Sequence, residues 1–351
     1  MSGNPITIDG RPIGAGAPVF VVAEAGVNHN GDPDLALRLV DAAADAGADA
    51  VKFQTFRTAA LVGRGAPKAR YQLETTGPDG DQFQMLERLE LPCDVHAALQ
   101  ARAVKRGLVF FSAPFDVESA DLLDALAVPV FKIPSGEITN LPLLRHVAGK
   151  GRPLILSTGM ATLDEVAVAL DAIAAAGDPP VALLHCLSAY PAPVPEVNLR
   201  AMDTLRARFG VPVGFSDHTE GIDIALAAAA RGAAVVEKHL TTDRTLPGPD
   251  HRASLDPADF ASMMRGVRRV EAALGDGVKR PMPSEIDTRA VARKSLVAAR
   301  AIRAGEVLTA DCVAIKRPGT GISPADMERA LGRAVRRGLA PDEVIDWEAL
   351  A

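Results

Sequence analysis

The chain contains eight short apolar segments, each followed by a helix-like stretch, and this repetition limits the fold more than any other feature. The segments occupy residues 19–26, 49–56, 108–115, 130–136, 153–159, 181–188, 211–218 and 234–241. Most are apolar on both faces until their last residues, as strands buried in a parallel sheet are. Eight parallel strands that each feed a helix form a (β/α)8 barrel. The sequence therefore predicts an α/β fold of the TIM-barrel class.

Polar and ionisable residues close these segments. They are Glu24, Lys52, Gln54, Ser112, Lys132, Ser135, Ser157, His185, Ser188, Ser216, His218, Glu237 and His239. In a TIM barrel the C-terminal ends of all the strands line one pocket. We therefore expect one active site that is assembled from distant parts of the sequence.

The pattern also predicts the domain organisation. The barrel is expected to span residues 1–275, because the repeat stops there. Residues 276–292 are rich in Pro, Gly and charge and are predicted to be a linker. Residues 293–351 alternate in short segments and predict a small, mostly β domain. Residues 57–92 are too long for a simple turn between strand and helix, and such long loops are often functional, so we expect a lid or substrate loop.

Composition excludes several classes of protein. The net charge of −6 gives no reason to expect nucleic acid as a partner. No run of about 18 apolar residues occurs, so no membrane span is predicted. The N-terminus lacks the basic and apolar regions of a signal peptide. Three scattered cysteines suit a reducing cytoplasm better than a disulfide framework, and Cys186, inside an apolar strand, is predicted to be buried and inert.

His218 and His239 end the seventh and eighth predicted strands, which are neighbours in a barrel. Two imidazoles at adjacent strand ends can share a divalent cation such as Mn²⁺, Fe²⁺, Co²⁺ or Zn²⁺. Two protein ligands would leave positions open for water and substrate, as in a catalytic site. The alternative is two independent histidines with structural hydrogen bonds.

Lys52 and Lys132 end the second and fourth predicted strands. Each could bind an anionic group as a point charge, or act as a desolvated amine that forms a Schiff base. A third reading is a lysine that extends along the barrel rim. The serines at other strand ends (Ser112, Ser135, Ser157, Ser188 and Ser216) favour anion binding, because hydroxyl groups and helix N-termini suit a phosphate. No P-loop is present, so a small phosphorylated metabolite is favoured over a nucleotide.

Three carboxylates belong to the same predicted region. Glu24 and Glu137 could orient a hydroxyl or move a proton, or could form structural ion pairs with the lysines. Asp250 follows the eighth strand in a Gly/Pro loop, where it is either a binding residue or a solvated turn residue. Arg317, before Pro-Gly in the small domain, has by itself the pattern of a surface residue.

Several strings taken together resemble the sialic acid synthase family, which makes nine-carbon nonulosonic acids from phosphoenolpyruvate (PEP) and an N-acetylated hexose. The matching strings are VVAEAGVNHNGD, DAVKFQTF, VFKIPSGEITNLPLL, LILSTGMATLDEV, LLHCLSAYPAP, VGFSDHTEGI and EKHLTTDRTLPGPDHRASLDP. The stretch RKSLVAARAIRAGEVLTADCVAIKRPG resembles the antifreeze-like (SAF) domain of these enzymes. KFQTF and IPSGEITNLP look more like the members that make N,N'-diacetyllegionaminic acid than like bacterial N-acetylneuraminate synthases.

The resemblance implies a role for individual residues. It implies a PEP site at Lys52, Lys132, Ser135, Ser157, Ser188 and Ser216. It implies an amino-sugar site at Glu24, Gln54, Glu137, Tyr190, Asp250 and Arg317. It implies that His218 and His239 bind a divalent metal, commonly Mn²⁺, with Mg²⁺ or Co²⁺ as alternatives. It also implies a domain-swapped homodimer in which Arg317 of one subunit enters the barrel of the other.

The predicted reaction is a metal-dependent condensation of PEP with N-acetylmannosamine (ManNAc) or 2,4-diacetamido-2,4,6-trideoxymannose. Glu24, Glu137 and Lys132 are the predicted catalytic side chains. Three alternatives remain open at this point. They are a lyase that cleaves a keto sugar acid through a Schiff base on Lys132, a synthase of shorter keto sugar acids that uses a phosphorylated aldose, and a non-enzymatic sugar-binding protein.

Overall fold

A computed structural model describes residues 5–351 of the chain. The chain divides into two compact units, one that ends at Gly275 and one over Asp276–Ala351. The strands of the described residues are β1 Ile6–Ile8, β2 Arg11–Ile13, β3 Phe20–Gly26, β4 Ala50–Thr55, β5 Val109–Pro114, β6 Phe131–Ile133, β7 Leu154–Ser157, β8 Val181–Cys186, β9 Val213–Asp217, β10 Val235–His239, β11 Ser295–Ala298 and β12 Val313–Lys316. The helices are α1 Pro33–Asp45, α2 Thr58–Leu61, α3 Arg70–Thr76, α4 Gln82–Glu87, α5 Cys93–Lys105, α6 Val117–Ala125, α7 Leu141–Ala148, α8 Leu163–Ala174, α9 Ala201–Phe209, α10 Asp223–Ala230, α11 Pro257–Leu274, α12 Ile286–Ala292 and α13 Met327–Ala330.

Strands β3 to β10 form one parallel sheet in the order β5-β4-β3-β10-β9-β8-β7-β6. Because β3 pairs with both β4 and β10, the first and last strands of the repeat are neighbours, as they are in a barrel. The edge strands β5 and β6 lie side by side, and in the described part of the chain no backbone ladder joins them. The TIM barrel predicted from the eight repeats is confirmed.

Local sequence signals set the starts of the barrel helices. The carboxylate of Asp32 accepts a hydrogen bond from the Asp34 amide, and Pro33 occupies the first helical position of α1. Helix α8 begins after Thr162, whose hydroxyl and the carboxylate of Glu165 form a capping box. The apolar faces of these helices cover the outside of the sheet in the main hydrophobic core.

The inside of the barrel has a separate apolar cluster at the N-terminal ends of the strands. Strands β1 and β2 form an antiparallel hairpin, and its buried Ile6, Ile8 and Ile13 pack with Phe20 and Phe111 of the barrel interior. This hairpin therefore closes the barrel at the end opposite to the strand C-termini. The hairpin was not predicted, because each of its strands has only three residues.

The second unit has its own hydrophobic core. Strands β11 and β12 pair antiparallel, and the core includes Leu296, Ile302, Val335 and Ile345. Residues 276–292, predicted to be a linker, include helix α12. Among residues 5–351, no helix is both long and apolar enough to cross a membrane.

Candidate active site

Side-chain alternation along the strands decides which strand-end residues share a cavity. In β3, Phe20 and Val22 lie in the interior cluster, and Glu24, two residues further, lines a cavity at the C-terminal end of the barrel. The same step of two leads from Ala50 to Lys52 in β4. The cavity has a volume of about 450 Å³. Of the predicted residues it is lined by Glu24, Lys52, Gln54, Lys132, Ser135, Ser157, Ser188, Tyr190, Ser216, His218, His239 and Asp250, and it is also lined by Glu237.

The floor of this cavity is a buried network of charges centred on Glu237. Lys52 Nζ lies 2.6 Å from Glu24 Oε2 and 3.8 Å from Glu237 Oε2. Lys132 Nζ lies 3.7 Å from Glu237 Oε1, and the Ser216 hydroxyl donates to the same oxygen at 3.0 Å. Burial would raise the pKa of Glu237, but the two lysines outweigh it and the pKa is lowered. The carboxylate is therefore ionised between two ammonium groups.

The two lysines differ in their electrostatic environment. Burial lowers the pKa of Lys132, although Glu237 acts in the opposite direction. For Lys52, burial is outweighed by Glu237 and Glu24, and the pKa is raised. Lys132 Nζ also donates to Ser157 Oγ at 2.7 Å, which fixes its direction.

A small polar recess adjoins Lys132 in the floor. The amide of Gly159 donates to Ser135 Oγ at 3.0 Å. A Cβ atom at position 159 would lie only 2.4 Å from Ser188 Oγ and 2.8 Å from Ser135 Oγ. A side chain at position 159 would have to displace these two hydroxyl groups, both of which belong to residues that line the cavity. Such groups can bind the oxygen atoms of a phosphate or carboxylate.

His218 and His239 lie together at one side of the floor, with ring centroids 5.3 Å apart. His218 Nδ1 donates to the Leu187 carbonyl oxygen at 2.8 Å, which leaves Nε2 for another partner. His239 Nδ1 has no hydrogen-bond partner in the described chain, and the carboxylate of Asp250 is 3.7 Å away. Burial, with His218 and Lys52 nearby, lowers the pKa of His239 well below its ordinary value, so this imidazole is neutral.

Cys186 also lines the cavity, with its sulfur 3.8 Å from His218 Nδ1. Burial acts against the charged form of both groups. The pKa of Cys186 is nevertheless lowered and that of His218 is raised, because the thiolate and the imidazolium stabilise each other. The thiol is buried, as predicted, but its position beside His218 means that it is not simply a packing residue.

Aromatic side chains continue the wall above the histidines. The ring of Tyr190 lies 4.2 Å from that of His218 and 4.9 Å from that of Tyr71. On the opposite side, Gln54 Nε2 donates to Glu24 Oε1 at 3.0 Å, which fixes the carboxylate. Burial, followed by Glu24, raises the pKa of Asp250 to about 6.

Residues 57–92, predicted to form a lid or substrate loop, fold into the short helices α2, α3 and α4 and line the cavity. Their contribution is mostly apolar: Leu61, Val62, Ala69, Tyr71, Gln72, Gln82, Met85 and Leu86. Phe56 and Phe115 join them from the ends of β4 and β5 in an edge-to-face contact, with centroids 6.1 Å apart. The cavity thus has an ionic floor and an apolar lid.

Four predicted residues do not line the cavity. Ser112 lies on the other face of its strand, bonded to Thr55 at 2.7 Å, and His185 bonds to the Val197 carbonyl oxygen at 2.7 Å. For these two the expectation from strand-end position was wrong, because neighbouring residues of a strand point to opposite faces. Glu137 follows β6, half-buried, and accepts a hydrogen bond from Asn140 at 2.7 Å; burial raises its pKa.

The fourth, Arg317, belongs to the second unit, where its Nε donates to the Ala292 carbonyl oxygen at 3.0 Å. Conversely, Glu237 ends the eighth predicted strand and had no predicted role, although it lies at the centre of the floor. Its spacing of two residues from His239 was the signal that could have identified it.

Comparisons with known proteins identify relatives along most of the chain. Residues 39–279 match the NeuB family and residues 293–351 match the SAF domain. The chain is 47% identical to the N,N'-diacetyllegionaminic acid synthase of Campylobacter jejuni, over 93% of this chain and 98% of that one. It is 44% identical to the enzyme of the same name from Legionella pneumophila, over 96% of each chain.

A solved structure extends the likeness to three dimensions. The N-acetylneuraminic acid synthetase of Leptospira borgpetersenii, in complex with citrate, superposes with a TM-score of 0.72 at 36% identity. The match covers 82% of this chain and 95% of that one. With its eight-stranded barrel, its strand-end cavity and a SAF domain at its C-terminus, the chain belongs to the NeuB family.

Proposed function

We propose that this protein condenses PEP with 2,4-diacetamido-2,4,6-trideoxymannose to give N,N'-diacetyllegionaminate and phosphate. The observation that carries the proposal is a single cavity in which buried lysines and serines lie beside a pair of histidines. The two legionaminic acid synthases described above favour this sugar among those that the family uses. ManNAc, which would give N-acetylneuraminate, is the second candidate substrate. Three unpaired cysteines, Cys93, Cys186 and Cys312, suit the cytoplasm that we propose as its compartment.

PEP is proposed to bind on the floor. Its phosphate and carboxylate require cations and hydrogen-bond donors that need no rearrangement, and Lys52 and Lys132 are buried and held by neighbours. Hydroxyl groups complete the site at Ser135, Ser157, Ser188 and Ser216. Glu237 and Glu24 balance the positive charges of the two lysines. An anionic substrate would compete with Glu237 for these lysines.

His218 and His239 are the proposed ligands of a divalent metal, with Mn²⁺ favoured and Mg²⁺ or Co²⁺ as alternatives. His239 fits a cation, because its imidazole is neutral and its buried Nδ1 has no hydrogen-bond partner in the described chain. In the described part of the chain, no three His, Cys, Asp or Glu side chains form a group that could hold a metal alone. Water and substrate would therefore supply the remaining ligands. When bound, such a cation supplies Lewis-acid activation of the sugar aldehyde.

The amino sugar is proposed to lie between the histidines and the lid. Gln54, Tyr190 and Asp250 line this part of the cavity, and Glu24 is held there by Lys52 and Gln54. Glu24 and Lys132, which line the cavity, are the proposed catalytic residues. Glu137 does not line it, and its catalytic role stays a prediction from the sequence.

The proposed chemistry forms one carbon–carbon bond, and at C2 it forms a carbon–oxygen bond to water and breaks the one to phosphate. C3 of PEP attacks C1 of the open-chain aldose, and the aldehyde oxygen gains a proton. Water adds to the cation at C2 and gives up a proton, and the tetrahedral intermediate then expels phosphate to leave the keto acid. Lys52, Lys132 and the serines stabilise the negative charge on the phosphate as it leaves.

One observation also favours a second candidate, a lyase that acts through a Schiff base. The lowered pKa of the buried Lys132 is what a nucleophilic amine needs. Reduction with borohydride in the presence of pyruvate would trap such an adduct on Lys132. Absence of the adduct, together with PEP-dependent product formation, would exclude the lyase.

The deciding experiment measures phosphate release from PEP with Mn²⁺ and either ManNAc or the diacetamido trideoxy sugar, with and without a chelator. We expect chelator-sensitive release that is faster with the diacetamido sugar. Faster release with ManNAc would instead identify an N-acetylneuraminate synthase. No release with either sugar would contradict the proposal.

We further propose a domain-swapped homodimer in which Arg317 of one subunit serves the barrel of the other. Arg317→Ala and Lys132→Met variants should each be inactive alone. When they are mixed under conditions that exchange subunits, each mixed dimer regains one complete site. The mixture should therefore recover about a quarter of the activity of the unaltered enzyme. No recovery despite verified exchange would exclude this arrangement.

A further inference from the structure

We infer that the apolar wall of the cavity is a subsite for the methyl group at C6 of a 6-deoxy amino sugar. The apolar wall is defined as Phe56, Leu61, Val62, Met85, Leu86 and Phe115. The inference rests on the proposed function and deepens it, because it names the part of the substrate that decides which sugar is used.

The apolar wall is built as a binding surface and is not simply the core of the lid. Phe56 and Met85 are buried, and Phe56 packs with Val27 and Leu89 beneath the surface. Leu61, Val62, Leu86 and Phe115 are only half-buried, although all of them line the cavity. A methyl group placed against them would remove further apolar surface from water, which is favourable.

The direction of the substrate follows from the two ends of the cavity. PEP needs the lysines of the floor, and the aldehyde at C1 must lie beside His218 and His239 to meet C3 of PEP. The remaining carbons of the sugar then extend away from the floor. The stacked rings of His218, Tyr190 and Tyr71 lead from the reacting end to the lid. C6 is therefore the atom that reaches the apolar wall.

The distribution of charge argues against a phosphate group at that end. Within the described residues, the lysines and arginines that line this cavity are Lys52 and Lys132, both on the floor and both paired with glutamates. Two cationic side chains of the lid are engaged elsewhere: Lys68 Nζ donates to the Asp79 carbonyl oxygen at 2.7 Å, and Arg70 pairs with Glu74 at 3.1 Å. A 6-phosphate would be desolvated against apolar carbon with no counter-charge from the barrel unit.

The test compares kcat/KM for three aldoses: the 6-deoxy diacetamido sugar, its 6-hydroxy analogue and ManNAc 6-phosphate. For the unaltered enzyme we expect a preference of about tenfold or more for the 6-deoxy over the 6-hydroxy sugar, since apolar pockets discriminate to that degree. Val62→Thr, which keeps the shape and adds a hydroxyl group, should reduce this preference severalfold. Leu61→Lys should create measurable turnover of the 6-phosphate.

Val168→Thr is the matched control, because Val168 is an exposed residue of α8 that does not line the cavity. It should leave the preference unchanged. PEP-dependent thermal stabilisation of each variant verifies that the floor is intact. Equal use of the 6-deoxy and 6-hydroxy sugars, or an unchanged preference in Val62→Thr, would overturn the subsite while the synthase remained. Absence of phosphate release with every sugar would instead refute the synthase itself, and the subsite with it.

Discussion

The floor and the lid of the cavity enclose the same space but are built in different ways. The floor comes from regular strands, and its side chains are fixed by an ionic network that includes Lys52, Lys132 and Glu237. The lid comes from three helices of four to seven residues, and it contributes apolar carbon. Chemistry that must be the same for every member of a family suits the floor, whereas substrate choice suits the lid, because short connecting segments tolerate change.

The largest expected effect concerns the floor. His218→Asn removes one proposed metal ligand and should lower turnover at least about a thousandfold, since Lewis-acid activation is worth several kcal/mol. Mn²⁺ binding, followed by electron paramagnetic resonance of the free ion, should weaken in parallel. His146→Asn on α7 is the control, because His146 bonds to Asp121 and does not line the cavity, and it should change neither quantity. A His218 variant with most of its activity would refute the ligand assignment.

The buried charges of the floor should also be more important for folding than the charges of the lid. Glu237→Gln leaves two buried lysines without their shared carboxylate, and should lower the free energy of unfolding by about 3 kcal/mol. Glu74→Gln removes a lid carboxylate that pairs with exposed Arg70, and should cost below about 0.5 kcal/mol. Guanidinium unfolding of both variants gives the comparison. If the two variants lost similar amounts of unfolding free energy, the floor network would not be stabilising.

Much of the floor could be predicted from the sequence, and the reason is periodicity. Eight repeated segments define the barrel, and its geometry brings Lys52, Lys132 and His218 together although they are far apart in the chain. Strand-end position alone cannot tell the two faces of a strand apart, which is why Ser112 and His185 were misplaced. Counting in steps of two from the buried interior would have excluded both.

The lid could be located from its length but not described. Its helices are too short for a clear helical period, and its apolar side chains resemble those of any small core. Their function depends on lining a cavity whose other side is formed by strands that are distant in sequence. The closing hairpin β1–β2 escaped prediction for the same reason, since its burial arises only from contact with the barrel interior.

Between pH 7 and pH 5, histidine protonation should affect the barrel and not the lid, because the lid contains no histidine. Burial, followed by the nearby His96, lowers the pKa of His29 from 6.5 to about 3, so His29 is neutral in the folded protein. The unfolded chain binds this proton near pH 6.5, and stability contributed by neutral His29 is therefore lost as the pH falls from about 6.5 towards 3. Between pH 7 and pH 5 this single residue should account for about 2 kcal/mol of lost stability.

The variant His29→Asn tests this assignment. His29 Nδ1 accepts a hydrogen bond from the Gly31 amide at 3.0 Å, and an asparagine oxygen can take its place. The variant should be less stable at pH 7, but its unfolding free energy should change less between pH 7 and pH 5. A pH dependence equal to that of the unaltered protein would assign the acid sensitivity to other groups.

The smallest expected effect is confined to the lid. The carboxylate of Asp81 accepts hydrogen bonds from the amides of Gln84 at 2.8 Å and Gly65 at 2.7 Å, and so holds the start of α4 to the preceding loop. Asp81→Ala should increase amide hydrogen exchange severalfold in residues 82–87, which carry Met85 and Leu86 of the apolar wall, and should leave the exchange of β3 to β10 unchanged. The KM for the sugar should rise while the KM for PEP stays the same, because only the sugar is proposed to contact the lid. If both KM values rose together, the lid and the floor would be coupled, and the assignment of chemistry to the floor and substrate choice to the lid would be wrong.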